Sequence, residues 1–121
     1  MTASLTPALA LDFITALSAD IRAAVVLDAT GARLAGSRSL ADAARALPEV
    51  GQAEGVTSGG GVYSARDERH VIVVVTGPFA LPRLTRHDLK TALSALGGQT
   101  SPIDPPQGLP DPLVNALLRA R

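Results

Sequence analysis

The chain has 121 residues, 46% of them hydrophobic, a length and composition that suit one domain with its own buried core. It contains no cysteine, which excludes disulfides and thiolate metal sites and leads us to expect a cytoplasmic protein. Its 11 Lys+Arg residues balance its 11 Asp+Glu residues, and it has only two phenylalanines and one tyrosine, so we expect no nucleic-acid partner, which calls for basic and aromatic surfaces.

The sequence also predicts no insertion into a membrane. No segment approaches the roughly 20 consecutive apolar residues that span a bilayer. The apolar N-terminus, Met1 to Ala19, has no basic start and is interrupted by Pro7 and Asp12, so we expect no signal peptide.

The stretch from Arg69 to Gly77 carries the strongest structural signal. Its core, Val71 to Val75, is an unbroken run of branched apolar residues, which suit a strand better than a helix. Because side chains alternate between the two faces of a strand, such a run predicts burial on both faces. We therefore expect a central strand in a sheet that has helices on each side.

The first third of the chain is predicted to form a helix and a hairpin. Thr6-Pro7 begins an amphipathic helix that continues to about Ala19, with apolar residues three and four positions apart. Ala23 to Leu27 is an apolar strand. The turn residues Asp28 to Gly31 join it to a second strand, Ala32 to Gly36.

A short helix is predicted next, from Ser39 to about Leu47, where Pro48 ends it. Asp42, three residues after Ser39, resembles the second member of a capping box. The apolar stripe of this helix consists of Leu40, Ala43, Ala44 and Leu47. Such a stripe fits two arrangements: it covers the sheet of its own domain, or it forms a helix-to-helix dimer contact beside a weak edge strand.

Three strands and a helix are expected to complete the domain. A weak edge strand between Gln52 and Ser58 is followed by the bend Gly59 to Gly61, and Val62 to Ala65 precedes the central strand. After a loop from Phe79 to Leu84, Thr85 with Asp88 is predicted to cap a helix that ends near Leu96.

The end of the chain changes character. Thr100 to Pro110 contains four prolines and is expected to be an extended linker. Asp111-Pro112 then begins a short helix whose apolar side carries Leu113, Val114, Leu117 and Leu118. So short a helix is not stable alone in water, so it must dock on its own domain, on a dimer mate or on another protein. The predicted divisions are a domain at 1–98, a linker at 99–110 and a terminal helix at 111–121.

Two patterns suggest a binding site, and both are incomplete. Gly55 to Gly60 has the glycine spacing that opens a phosphate-binding loop, but Gly61 and Val62 stand where a lysine and a hydroxyl residue are required. The two histidines, His70 and His87, have no neighbours at the spacing of metal ligands. We expect neither a cofactor nor a metal.

Nucleophilic catalysis has no better support in the sequence. Ser58, Ser64, Asp67 and His70 contain the residue types of a triad, but no nucleophile elbow is present. We therefore expect that the protein is not an enzyme and has no catalytic residue.

The order of predicted elements resembles the roadblock/longin-like family, small domains of dynein light chains, lysosomal GTPase scaffolds and bacterial regulators of Ras-like GTPases. The resemblance rests on the strand and turn from Ala23 to Gly31, on the alanine-rich helix after Ser39 and on the strand from His70 to Thr76. It covers about Leu9 to Leu96.

The resemblance implies an α+β fold: a five-stranded antiparallel sheet with the last strand in the middle, two helices on one face and the short helix on the other. It also implies a homodimer formed through the short helix and the third strand. In this sequence the interface residues would be Leu40, Ala43, Ala44, Leu47, Ala53 and Val56. The apolar side of the terminal helix, Leu113, Val114, Leu117 and Leu118, is then a candidate docking site for a partner.

Members of the family are non-catalytic scaffolds, so the resemblance implies a scaffold or regulator that binds a small Ras-like GTPase. The alternative is a small ligand-binding sensor of profilin-like fold, which needs an apolar pocket of roughly a few hundred Å³. The sequence departs from the family pattern in its glycine-rich third strand, its proline-rich segment and its terminal helix.

Overall fold

The structure is a computed structural model that describes residues 6–17, 20–47, 52–96 and 107–120. Within these ranges the chain forms, in order, α1 Pro7–Leu17, β1 Ile21–Asp28, β2 Arg33–Gly36, α2 Arg38–Ala44, β3 Gln52–Thr57, β4 Gly60–Arg66, β5 His70–Thr76, α3 Pro82–Ala95, β6 Gln107–Gly108 and α4 Asp111–Ala120. The strands form one sheet in the order β2-β1-β5-β4-β3-β6. The fold is α+β.

The strand β5 lies between β1 and β4, with both of which it pairs in antiparallel fashion. Ile72 and Val74 face a core built with α1 and α3, whereas Val73 and Val75 face a second core built with α2 and α4. All four side chains are fully buried. The prediction of a central strand that is covered on both faces is confirmed.

The hairpin between β1 and β2 forms as predicted. The Asp28 carboxylate accepts hydrogen bonds from the Thr30 hydroxyl (2.6 Å) and from the backbone N–H groups of Thr30 (2.8 Å) and Ala32 (2.9 Å). These bonds, above all the one from the Thr30 hydroxyl, lower the pKa of Asp28. Gly31 closes the turn with a φ of 90°, which a residue with a side chain rarely adopts.

The expectation of a five-stranded, wholly antiparallel sheet is wrong in one respect. Gln107 and Gly108, which the sequence placed in a linker, form a sixth strand that pairs in parallel with Ala53 and Glu54 of β3. Local patterns do not reveal this strand, because its partner is distant in sequence and only two of its residues pair. Residues 99–106 of the expected linker lie outside the described residues.

Two helices begin earlier than their predicted caps. The cap of α2 is Ser37 rather than Ser39, since the Ser37 Oγ accepts a hydrogen bond from the Leu40 N–H (3.2 Å). The helix α3 begins at Pro82, because proline suits the first turn, where its missing N–H is not needed. Thr85 lies inside that turn and its hydroxyl donates to the Leu81 carbonyl (3.1 Å).

Candidate interaction surface

The residues predicted to form a dimer interface lie mainly on one face of the sheet. Leu40 is 0%, Ala44 5% and Ala53 1% exposed, and all three belong to the core shared by α2 and α4. Ala43 and Leu47 pack against this core while remaining partly exposed. Val56 is 54% exposed and, one position after the covered Gly55, points to the other face of β3.

The terminal helix packs on this same face. Val114 and Leu117 of α4 are fully buried against α2 and β3, and Leu113 and Leu118 are half-buried around them. Leu109, which no pattern in the sequence singled out, is only 8% exposed and joins the same core. We call residues 107–120 the tail. In the described chain, the two sets of apolar residues that the sequence indicated as separate surfaces contact each other.

Polar contacts fix the position of the tail along β3. The Leu109 N–H donates to the Glu54 carbonyl (2.8 Å), which continues the pairing of β6 with β3. At the other end of β3, the Thr57 hydroxyl donates to the Asn115 side-chain oxygen (3.0 Å). The tail therefore has one register on the strand, and α4 lies across it.

The glycines of this region make room for the tail. A Cβ atom at Gly55 would overlap Val114 Cγ2 and lie 3.0 Å from Leu109 Cβ. A Cβ at Gly59 would lie 3.5 Å from Leu118 Cδ1. The glycine-rich third strand and the terminal helix, two departures from the family pattern, are thus parts of one contact. A glycine within a strand often marks the close approach of another segment, and Gly55 is the feature of the sequence that could have indicated this contact.

The opposite face of β3 carries an ion pair with α3. Arg86 donates from Nε to Glu54 Oε2 (2.8 Å) and from Nη2 to Glu54 Oε1 (2.6 Å). Tyr63, paired with Glu54 across the strands, is 1% exposed in the core of α1 and α3. Burial, and secondly the negative charge of Glu54, raises the pKa of Tyr63.

We expect Tyr63 to stay protonated in the folded chain at pH values where free tyrosine, with a pKa of 10.0, is half ionised. The unfolded chain loses this proton first, so the free energy of unfolding is unaffected below about pH 10 and falls as the pH rises through the raised pKa. Near-ultraviolet absorbance titration of the native and urea-unfolded chain measures both midpoints. Equal midpoints would contradict the burial of the hydroxyl, and Tyr63→Phe is the control for other alkaline effects.

A second surface lies at the start of α3, where large apolar side chains are exposed. Phe79 is 85%, Leu81 62% and Leu84 57% exposed. The loop that presents them is held in place, because the Gly77 N–H donates to the Asp20 carbonyl (2.9 Å) and the Phe79 N–H to the Asp20 carboxylate (3.1 Å). These three exposed apolar side chains form a candidate contact surface.

Two residues of the candidate triad, Ser64 and Asp67, make structural hydrogen bonds. The Ser64 hydroxyl donates to the Ala53 carbonyl (3.4 Å). Asp67 Oδ1 accepts from the backbone N–H groups of Arg69 (2.7 Å) and His70 (2.8 Å), and so closes the turn between β4 and β5. Across the described ranges, no three His, Asp or Glu side chains gather in a way that would hold a metal ion.

The candidate phosphate loop is also accounted for by the fold. Gly55 belongs to β3 and is covered by the tail, and Gly60 begins β4 with a φ of 145°. The space that a phosphate would occupy beside Gly55 is therefore filled by Val114 and Leu109. None of the described helices is long and apolar enough to cross a membrane.

One cavity of about 210 Å³ lies between the turn after β1, the end of α2 and the adjoining ends of β4 and β5. Its lining includes Asp28, Arg45 and Arg66. It is smaller than the roughly 300–1,000 Å³ usual for small-molecule sites. It gives the alternative of a ligand-binding sensor no specific support.

Comparison with solved structures identifies the fold. The chain superimposes on the Roadblock/LC7 domain from Streptomyces avermitillis with a TM-score of 0.63 and 21% sequence identity, over 71% of this chain and 93% of that domain. More than a quarter of this chain thus lies outside the part that the two share. Comparison of the sequence with protein-family models and with curated proteins found no match.

Proposed function

We propose that this chain, which has the fold of a Roadblock/LC7 domain, is a non-catalytic scaffold or regulator that binds a small Ras-like GTPase in the cytoplasm and self-associates through α2 and β3. The observation that supports the proposal most is the match over 93% of a known Roadblock/LC7 domain. Since a fold hosts many functions, the fold alone does not identify the partner, and the exposed surfaces carry that information.

The surface at the start of α3 suits a protein partner. Phe79, Leu81 and Leu84 offer apolar area, and Arg83 among them is exposed. Aromatic residues and arginine are the residue types that contribute most often to the binding energy of interfaces. We propose that this surface contacts the GTPase.

Self-association is supported by the geometry of β3. The strand β6 pairs only with Ala53 and Glu54, and within the described part of the chain no strand pairs with the remaining edge from Gly55 to Thr57. An incompletely paired strand is a template for pairing with another chain.

Replacing Phe79 with serine is expected to weaken GTPase binding at least about tenfold, because truncating a residue that is a hot spot of an interface costs about 2 kcal/mol or more, and about 1.4 kcal/mol is a factor of ten. The measurement is biolayer interferometry of the chain against the small Ras-like GTPases of its own genome, each loaded with GDP or with a non-hydrolysable GTP analogue. The rate of GTP hydrolysis, measured alongside, distinguishes a regulator from a scaffold.

The matched control for this measurement is Leu34→Ser. Leu34 is also an exposed apolar residue, at 43%, but it lies on β2 at the other edge of the sheet. The proposal fails if none of the GTPases binds, and the placement of the surface fails if Leu34→Ser reduces the affinity as much as Phe79→Ser does.

A further inference from the structure

We infer that the tail and a second copy of this chain are alternative occupants of the face formed by α2 and β3, so that the chain self-associates only after the tail is released. The inference rests on the self-association in the proposed function and adds its regulation. It is drawn from the contacts of the tail with α2 and β3.

The tail shares a hydrophobic core with side chains of α2 and β3. Leu40, Ala44 and Ala53, which the family resemblance would place against a second copy, are already buried, and the residues that share their core include Val114 and Leu117 of the tail. A second copy cannot contact these three side chains while α4 covers them. Release of α4 removes Val114 and Leu117 from this core and leaves the part of it that they cover, between α2 and β3, open to a second copy.

The backbone of β3 has two edges, and the tail occupies part of one of them. One edge of the strand pairs with β4 along its whole length, from Gln52 to Thr57. The other edge pairs with β6 at Ala53 and Glu54 and receives the Leu109 N–H. Because each edge of a strand accommodates one neighbour, a strand from a second copy can pair along the whole of this edge, including Ala53 and Glu54, only after β6 has left.

Few polar contacts hold the tail on the domain. Its backbone pairing involves two residues of β3, and its side-chain hydrogen bond is the one between Thr57 and Asn115. Within the described residues no salt bridge joins the tail to the rest of the chain. A helix as short as α4 is not stable away from its contacts, so the tail is retained chiefly by Leu109, Val114 and Leu117.

The covalent link between the tail and the domain determines the expected oligomeric state. A segment that is tethered to its site meets it at an effective concentration on the order of millimolar. A second copy at micromolar concentration displaces such a segment only if it binds the face about 1,000-fold more tightly than the tail does. The full chain is therefore expected to be a monomer at micromolar concentration, and a chain without the tail is expected to be a dimer.

The experiment compares three proteins by light scattering after size exclusion over a concentration series. They are the full chain, a chain of residues 1–106, and a full chain with Thr57→Cys and Asn115→Cys, whose disulfide would fasten α4 to β3. The chain has no cysteine of its own, so this disulfide has no competitor. The reduced form of the double variant is the control for its oxidised form.

The shortened chain is expected to dimerise about 100-fold more tightly than the full chain, and the oxidised variant is expected to stay monomeric at the highest concentration at which the reduced form dimerises. A peptide of residues 107–121 is expected to dissociate the dimer of the shortened chain. Comparing the oxidised and reduced forms requires no shortened chain, so the result stands even if residues 1–106 fail to fold.

Two other outcomes overturn the inference in different ways. If the oxidised variant dimerises as readily as the reduced form, the tail and the second copy do not exclude each other, while the proposed self-association survives. If none of the three proteins dimerises at any concentration, the self-association itself is wrong. Binding to a GTPase is measured separately and is not affected by either outcome.

Discussion

Replacing Gly55 with valine is expected to detach the tail while leaving the rest of the fold in place. The Cβ of the new residue would overlap Val114 Cγ2 and crowd Leu109, both of which belong to the tail. Valine suits a strand better than glycine does, so β3 itself should not be weakened. We expect the free energy of unfolding to fall by about 2–3 kcal/mol and the backbone amides of residues 107–120 to lose their protection from hydrogen exchange.

The matched control is Gly108→Ala in the same contact. A Cβ at Gly108 meets no atom within 4 Å, so this variant should change neither the stability nor the protection of the tail. If Gly55→Val left the amides of the tail protected, the close packing of α4 on β3 would be wrong. If it exposed the amides of β5 as well, the tail would be required for the fold of the whole domain.

Replacing Gly60 with alanine is expected to have a larger effect, because its obstacle is the sheet rather than the tail. Gly60 has a φ of 145°, which alanine rarely adopts, and a Cβ there would overlap the carbonyl oxygen of Thr76 in β5. We expect a loss of about 3–5 kcal/mol in the free energy of unfolding, measured by urea denaturation. The pairing of β4 with β5 has to shift before the alanine fits.

The neighbouring Gly59 provides the comparison for Gly60. A Cβ at Gly59 would lie 3.5 Å from Leu118 Cδ1, an ordinary contact, and its backbone does not require glycine. Gly59→Ala should therefore change the stability by less than about 0.5 kcal/mol. Similar losses for Gly59→Ala and Gly60→Ala would show that the turn is not built as described.

Local signals predicted the parts of this fold that depend on neighbouring residues. The run from Val71 to Val75 indicated a strand covered on both faces, because a strand that is buried on both faces has apolar residues at consecutive positions. The turn after β1 was predicted from Asp28 and Gly31. The Asp28 carboxylate bonds to backbone no more than four residues away, and Gly31 supplies the positive φ, so both contributions are local in the sequence. The cap of α2 was misplaced by two residues, since two serines, Ser37 and Ser39, stand near its start and only the Ser37 Oγ accepts a hydrogen bond from the Leu40 N–H.

The candidate surface was only partly predictable, for a different physical reason. The periodicity of Leu40 and Ala44 on one helix, and of Val114 and Leu117 on another, showed that each helix buries one side. Periodicity does not show what covers that side. The answer depends on β6 and on Gly55, that is, on a two-residue strand and on a missing side chain, which leave hardly any pattern in a sequence.

The position of Tyr63 provides a spectroscopic means of separating two events in this molecule. The chain has one tyrosine and no tryptophan, so its intrinsic fluorescence comes from a residue buried between the sheet and α3. The tail docks on the other side of the sheet, so we expect its departure to leave the packing around that ring unchanged. Tyrosine emission is therefore expected to change when the domain unfolds and to stay constant when the tail detaches. A dye attached to the tail would instead respond to the detachment. The two signals, recorded in one titration, give the free energy of each transition separately.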